Sequence, residues 1–388
     1  MQTNLRVFSR SSITSILLLG TFASSSFISS CHEKQSAALR GVRDDTNVDK
    51  LGATSSSCRA KGALSRTYAT NVDHYYQKFK KIPSPTIMHD SLDRLLDVDK
   101  RSHLSMNSNN EDIPFSDKIL VIGDVHGCFN ELKALVEKAM NLHNDGKLFS
   151  AVVLVGDLCN KGPHSAEVIR FVRNEKNWFS VRGNHDNHAL AASLGDETKR
   201  TQMGLKSKYQ WVHSLSDDDI VWMSNLPYTI TIPRNMDLAM IDPSSEQLDK
   251  DCNVIVVHAG LIPNIYLDDQ DILTMTTIRD VVATYSTRID VDRQKDLEVG
   301  SKQCSYTYYN PNDDACLGTK PIAWAHAWQG PELVIFGHDA KRGLQHENHA
   351  IGLDSGACYG KKLTGIVLPE KELVSVDSEK VHCPIKRK

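Results

Sequence analysis

The 388-residue chain has nine cysteines but no Cys-x-x-Cys pair, which removes the usual zinc-ribbon arrangement. It lacks a surplus of either charge: 45 Lys and Arg stand against 48 Asp and Glu, a formal net charge of −3. A dedicated nucleic-acid binder carries a strong basic excess, so that class is set aside. It also lacks an unbroken apolar run of the roughly 20 residues that a membrane span needs. The densest apolar cluster, Ile13 to Phe27, is interrupted by serines after Phe22. A composition of 40% hydrophobic and 24% charged residues excludes a wholly disordered, collagenous or multi-span chain. The length allows two domains, or one large domain with extensions.

What is present begins with a targeting pattern. Arg6 and Arg10 precede the apolar cluster, no charge occurs from Ser11 to Ser30, and Ala23-Ser24-Ser25 offers a small-x-small cleavage site. That order predicts a secretory signal peptide or signal anchor over 1–30, with an organelle-targeting segment as the alternative. The expected location is the secretory pathway, in a vacuole- or lysosome-like lumen or outside the cell. Membrane attachment is expected only if the segment stays uncleaved. Residues 31–114 read as a polar, partly disordered extension with short helical stretches at Thr67–Lys81 and Asp90–Val98. The compact domain is expected over 115–376, followed by a basic tail, 377–388.

From Ser116 onward strands and helices alternate. Lys118–Ile122 runs into Gly123-Asp124-Val125-His126-Gly127. Ala151–Val155 runs into Gly156-Asp157-Leu158-Cys159-Asn160-Lys161-Gly162-Pro163, and Trp178–Val181 into Arg182-Gly183-Asn184-His185-Asp186. Helical patterns over Asn130–Leu142 and His164–Asn174 separate them. The spacings fit one βα repeat each. Val254–Val257 then ends in His258-Ala259-Gly260, and Glu332–Phe336 in Gly337-His338-Asp339. In open α/β sheets such carboxyl ends form the ligand crevice, so these five polar turns should converge.

Asp, Asn and His at converging turns suit two divalent ions, which need a bridging carboxylate and a mixed nitrogen and oxygen shell. Zn, Mn, Fe or Co accept that set, whereas Ca and Mg prefer more oxygens. Such a pair lowers the pKa of a shared water and clamps an in-line displacement at phosphorus.

The blocks GDVHG, GDLCNKGP, RGNHD, HAG and FGHD, in this order over 118 to about 368, resemble the calcineurin-like metallophosphoesterases of the phosphoprotein-phosphatase superfamily. The resemblance implies a four-layer αββα sandwich (an α/β, α+β fold) with two mixed sheets and a dinuclear site at the strand ends. It implies that Asp124, His126 and Asp157 hold one metal, and that Asp157 bridges to a second completed by Asn184, His258 and His338. A metal-bridging hydroxide would attack phosphorus, and His185 would protonate the leaving oxygen. Arg182 and Lys161 would hold the substrate phosphate. Arg279 and Arg342 are the further substrate-binding candidates.

Departures from the Ser/Thr protein phosphatases narrow the subfamily. Asn160 and Lys161 stand where those enzymes have Asp and Arg, and Asp186 follows His185 in place of Glu. The usual acidic partner of the His185 ring is therefore missing, and Asp186 or water is expected to orient it. These changes, with GLDSGACYGKKL at 352–363, resemble the ApaH-like phosphatases, a group with bacterial symmetrical diadenosine tetraphosphatase and the yeast vacuolar endopolyphosphatase. The implied substrate is anionic, inorganic polyphosphate or a dinucleoside polyphosphate. A protein or general phosphomonoester phosphatase and an RNA-cap pyrophosphatase are the alternatives, and a degenerate fold used as a binding scaffold is the non-enzymatic one.

Four smaller expectations complete the reading. Ser216 and Asp219 form a capping box. Trp324 and Trp328 belong to the core. The stretches 235–253 and 291–318 are polar inserts without periodicity that rim the cleft. Cys304 and Cys316 are the best candidates for a disulfide, whereas Cys128 and Cys159 are free core thiols.

Overall fold

The computed structural model of the chain describes residues 84–96, 115–194, 207–233, 253–286, 303–310 and 320–384. All belong to one compact unit. The targeting segment, the helix expected at 67–81, most of both polar inserts and Cys316 lie outside the described residues. None of the described helices is long and apolar enough to cross a membrane.

In chain order the elements are β1 (His89–Ser91), α1 (Leu92–Leu95), β2 (Ile119–Ile122), α2 (Phe129–His143), β3 (Ala151–Leu154), α3 (Ser165–Asn174), β4 (Trp178–Ser180) and α4 (Asn184–Ser193). There follow α5 (Asp217–Ser224), β5 (Thr229–Ile232), β6 (Val254–Val257), α6 (Ile272–Thr277), β7 (Asp280–Ser286) and β8 (Gln303–Tyr308). The chain continues with β9 (Ile322–Ala323), α7 (Trp324–Ala327), β10 (Leu333–Phe336), β11 (Gln345–His346), β12 (Ala350–Gly352), β13 (Lys362–Leu368) and β14 (Glu372–Asp377).

The strands of the described residues form two large mixed sheets and a small one. The first runs β14-β13-β2-β3-β4, with β2, β3 and β4 parallel and β13 antiparallel to β2. The second runs β1-β5-β6-β10-β12-β11, with β6, β10 and β12 parallel.

Side-chain alternation explains the layering. Leu120, Ile122, Val152 and Leu154 face one way and pack with Leu132 and Leu135 of α2 and Val168, Ile169 and Val172 of α3. Ile119, Val121, Ala151 and Val153 face the other way and meet Ile230, Val256, Leu333, Ile335 and Ile351 of the second sheet. Both faces are covered, so these strands are continuous apolar runs. The outer face of the second sheet, Ile255, Val257, Val334 and Phe336, packs on α6 and α7 through Met275 and Trp324. Trp324 is thus a core residue, its ring against Phe336. The order is helices, sheet, sheet, short helices, which is the expected sandwich.

Three features go beyond the sequence reading. Residues 84–96, placed there in the extension, supply β1, which pairs in parallel with β5 in the second sheet. The polar insert at 291–318 contains β8, an edge strand that pairs with β7 in a third, three-stranded sheet of order β8-β7-β9. Its Tyr306 and Tyr308 pack on the core. Residues 378–384, read as part of the basic tail, dock on the domain: the Ser378 N–H donates to Lys361 O, and the His382 and Cys383 N–H groups to Cys358 O.

The Ser216/Asp219 capping box of α5 is present, with the Asp219 N–H donating to Ser216 Oγ and the Ser216 N–H to Asp219 Oδ2.

Candidate active site

The turns after β2, β3 and β4 in one sheet and after β6, β10 and β12 in the other meet at one place, because both sheets present these carboxyl ends to the same edge. The backbone there is held in a sparsely populated conformation. His126, Asp157, Asn160, Lys161 and His338 all have positive φ, between 48° and 69°. Such strain persists where surrounding contacts over-determine it and clusters at functional sites.

Two glycines make the convergence possible. A Cβ on Gly337 would fall 1.9 Å from Asp124 Oδ1, and one on Gly183 would fall 2.2 Å from Asp157 Oδ1. The carboxylates are seated where only glycine leaves room.

Hydrogen bonds then set each side chain. The His126 Nδ1–H donates to Cys159 O at 3.0 Å, so Nε2 presents its lone pair. That atom lies 3.5 Å from Asp157 Oδ2 and 3.8 Å from Asp124 Oδ2. The His258 Nδ1–H donates to Val155 O at 2.9 Å, which leaves its Nε2 bare, 3.0 Å from Asn184 Oδ1 and 3.4 Å from Asp157 Oδ1. Asn184 Oδ1 is also 3.1 Å from His338 Nδ1, and His338 Nε2 is buried without a partner. Asp124 accepts from the His338 N–H, and Asp157 from the His185 N–H. Acceptors thus face acceptors, and Asp157 is common to two groups: His126, Asp157 and His185, and Asp157, His258 and His338, whose ligand atoms lie within 4.8 Å of one another in each.

Burial sharpens the electrostatics. Asp124 and Asp157 are raised above the usual carboxylate range by loss of water, Asp157 to about 7. Asp354 repels both. His126, His185 and His338 are pushed well below the ordinary imidazole value by burial, and His258 down to about 4. Neutral imidazoles beside crowded carboxylates are a donor set that a divalent cation satisfies and a proton satisfies poorly.

The candidates divide by position. Asp124, His126, Asp157, Asn184, His258 and His338 all come together, and so does His185, whose ring stands edge-on to His126 at 4.8 Å. Lys161 reaches the same centre: its Nζ donates to His126 Nε2 at 2.6 Å and lies over the Tyr359 ring. Burial is the largest single influence and opposes its charge, but Asp157 together with Cys358 and Tyr359 outweighs it, and the ammonium stays protonated.

Arg279 and Arg342 sit at the rim, both paired with Asp339. Arg279 also donates to His338 O and Arg342 to Asp280.

Arg182 departs from expectation. Its side chain is fully buried, its guanidinium donates to Ser224 O and Leu226 O at the end of α5, and it stacks over Tyr228. Those carbonyls would be unpaired without it, so it braces the turn and is not presented to a substrate.

Asp186 also has a different part. Its carboxylate accepts from the N–H groups of Asp157, Leu158 and Gly183, tying two turns together, and does not touch the His185 ring. Asn160 does, with Nδ2 at 3.4 Å from His185 Nδ1 and 3.1 Å from His185 O.

Two nearby residues were not anticipated as members of the site. Asp354, nearly fully buried after β12, follows a strand-then-Gly turn like the others, the signal by which it could have been found. His188, one helical turn beyond His185, has its ring 6.1 Å from that of His185.

Residues 117–342 match the calcineurin-like phosphoesterase family. The asymmetrical bis(5'-nucleosyl)-tetraphosphatase PrpE of Bacillus subtilis is 30% identical over 270 residues, covering 66% of this chain and 93% of its own length. The protein of the same name from Oceanobacillus iheyensis is 29% identical over 272 residues, covering 67% and 92%. A crystal structure provisionally described as a diadenosine tetraphosphatase shares 31% identity over 67% of this chain and 93% of that one, with a TM-score of 0.47. With the polar turns of both sheets brought to one edge, the chain belongs to the calcineurin-like phosphoesterase family and is a hydrolase of phosphate esters or anhydrides.

Proposed function

We propose that the chain is a divalent-metal-dependent hydrolase of phosphoanhydride bonds, with dinucleoside polyphosphates as substrate and inorganic polyphosphate as the nearest alternative. One observation carries the metal reading: Asp157 belongs to both acceptor clusters, the arrangement that a carboxylate bridging two cations requires. Asp124, His126 and Asp157 would hold one ion, and Asp157, Asn184, His258 and His338 the other; Zn, Mn, Fe or Co suit this set. When bound, the pair supplies an acidified water and charge neutralisation at phosphorus.

The chain's own residues supply the remainder. The Lys161 ammonium and the rim guanidiniums of Arg279 and Arg342 draw in a polyanion, and Lys161 is free to turn from His126 to a phosphate oxygen once a cation takes that lone pair. His185 stands beside His126 with its Nδ1 toward Asn160, which leaves Nε2 to carry a proton to a leaving oxygen. The substrate choice rests on the relatives, which are named for nucleoside tetraphosphates. The apolar N-terminal segment supports action in a lumen or outside the cell.

The test is a panel of dinucleoside tetraphosphate, long-chain polyphosphate, capped RNA, phosphopeptide and p-nitrophenyl phosphate, each with Zn, Mn, Co and Mg. Asp157→Asn should lower turnover at least about 10³-fold, equivalent to about 4 kcal/mol, and cut bound metal. Near-normal activity of that variant in metal-defined buffer would remove the two-metal reading. Preference for phosphopeptide would replace the anhydride reading.

A further inference from the structure

A second cluster of donors lies behind the first turn of the site. Cys128, the residue before α2, Glu131 in its first turn and His382 in the C-terminal segment bring Sγ, a carboxylate oxygen and a ring nitrogen within 4.8 Å of one another. All three side chains are essentially buried. His382 Nε2 and Glu131 Oε1 are 2.7 Å apart, and the Glu379 N–H donates to the same oxygen.

The cluster is held from three directions. Cys128 follows directly on the Asp124-to-Gly127 turn, with its N–H bonded to Val125 O. The C-terminal segment is fixed by the His382 and Cys383 N–H groups on Cys358 O and by Ser378 Oγ on Ala357 O. Gly360, with φ of 80°, leaves space that Val381 fills, since a Cβ there would lie 2.6 Å from Val381 Cγ2. Two more thiols lie nearby: Cys358 packs in the same core cluster as Cys128, and the Cys383 N–H donates to Cys358 O.

We propose that Cys128, Glu131 and His382, with Cys358 or Cys383 as fourth donor, form a structural zinc site that staples the C-terminal segment to α2, distinct from the phosphoesterase centre. A mixed sulfur, nitrogen and oxygen set is one that zinc accepts and that Mg or Ca does not favour. An ion pair alone accounts for Glu131 and His382, but not for a buried thiol brought within ligand distance of the same pair. Ligand atoms around tetrahedral zinc lie farther apart than 2.7 Å, so the His382–Glu131 contact must open by about half an ångström. On binding, the Cys128 thiol gives its proton to solvent, and the Nε2 proton that bridges His382 to Glu131 leaves that nitrogen, so the bound neutral ring carries its proton on Nδ1. Because Cys128 is two residues from His126, the ion would brace the turn that carries Asp124 and His126 from behind.

The experiment is cobalt loading of the full chain, read by absorption together with metal counting by plasma mass spectrometry. The phosphoesterase donors include no sulfur, so a near-ultraviolet sulfur-to-cobalt charge-transfer band belongs to the new site alone. The expected result is such a band in the wild-type protein, retained in Asp157→Asn, and lost with one metal equivalent in both Cys128→Ser and His382→Asn. His382→Asn changes a residue of the terminal segment and keeps the test valid if Cys128→Ser fails to fold. Absence of the band in folded, cobalt-loaded wild-type protein would overturn the proposal. So would a band and a metal count that His382→Asn leaves unchanged. Loss of metal in Asp157→Asn with the charge-transfer band intact would separate this site from the phosphoesterase reading.

Discussion

The indole Nε1–H of Trp211 donates to Oδ1 of Asn160 at 3.1 Å. That bond settles which way the Asn160 amide faces: its oxygen is committed to Trp211, so its NH2 group points to His185. A donor facing Nδ1 makes the neutral ring carry its proton on Nε2. Where the Ser/Thr protein phosphatases carry an acid, the neutral Asn160 selects the Nε2–H tautomer and does not stabilise the imidazolium.

Asn160→Asp should therefore raise the His185 pKa, because a carboxylate beside Nδ1 favours the charged ring. The limb of the kcat/KM profile that follows His185 should move to higher pH by about one unit or more. Trp211→Phe frees the amide to flip and should lower kcat about five-fold, the effect of about 1 kcal/mol, with metal content intact. A pH–rate series on both variants checks this; an unmoved limb in Asn160→Asp would break the link between Asn160 and the His185 ring.

Lys161 and Arg182, both expected to bind phosphate, should separate in experiment. Lys161→Met should lower kcat/KM about 10- to 100-fold, the size of a lost charged hydrogen bond, with little effect on folding. Arg182→Met leaves Ser224 O and Leu226 O unpaired and should cost about 2 kcal/mol of stability while KM stays unchanged. Steady-state kinetics alongside urea unfolding distinguish them, and a KM effect confined to Arg182→Met would reverse the assignment.

In the metal-free protein Asp157 and His258 should pull stability in opposite directions across the range between about pH 4 and 7. Asp157, with its folded pKa raised to about 7, contributes stability that is present below its unfolded value near 4 and lost as pH rises through about 7. His258, lowered to about 4, contributes stability that is present above its unfolded value near 6.5 and lost as pH falls through about 4. Cations compete with the Asp157 proton, so the rise in Tm on adding Zn or Mn after chelation should be larger at pH 7.5 than at pH 5. Thermal melts with and without chelator measure it; an equal rise at both pH values would argue against cation binding at Asp157.

Much of this is legible in the sequence itself. Val254–Val257 and Thr229–Ile232 were readable as strands because they are short apolar or β-branched runs, and the Asp, Asn and His turns stood out because each follows such a run. What escaped depends on partners distant in sequence. Nothing local distinguishes Arg182, which caps α5, from an arginine aimed at a ligand. Asn160 could be read as a missing acid, but its tautomer-setting part depends on Trp211, 51 residues away. The strand β8 was hidden because Ser305 and Thr307 alternate with Cys304, Tyr306 and Tyr308, a weak pattern in a half-exposed peripheral sheet. The three residues of β1 are too few to show any period.

That short strand has a practical reach. β1 covers the outer backbone of β5, and the hydrogen-bonding row beneath it belongs to a strand of Thr and Ile. A shortened protein beginning where the family match begins, at residue 117, would bare that row as an edge on which another copy could pair. Self-association or poor solubility in such a truncation would reflect an uncapped sheet, with the phosphoesterase turns themselves intact.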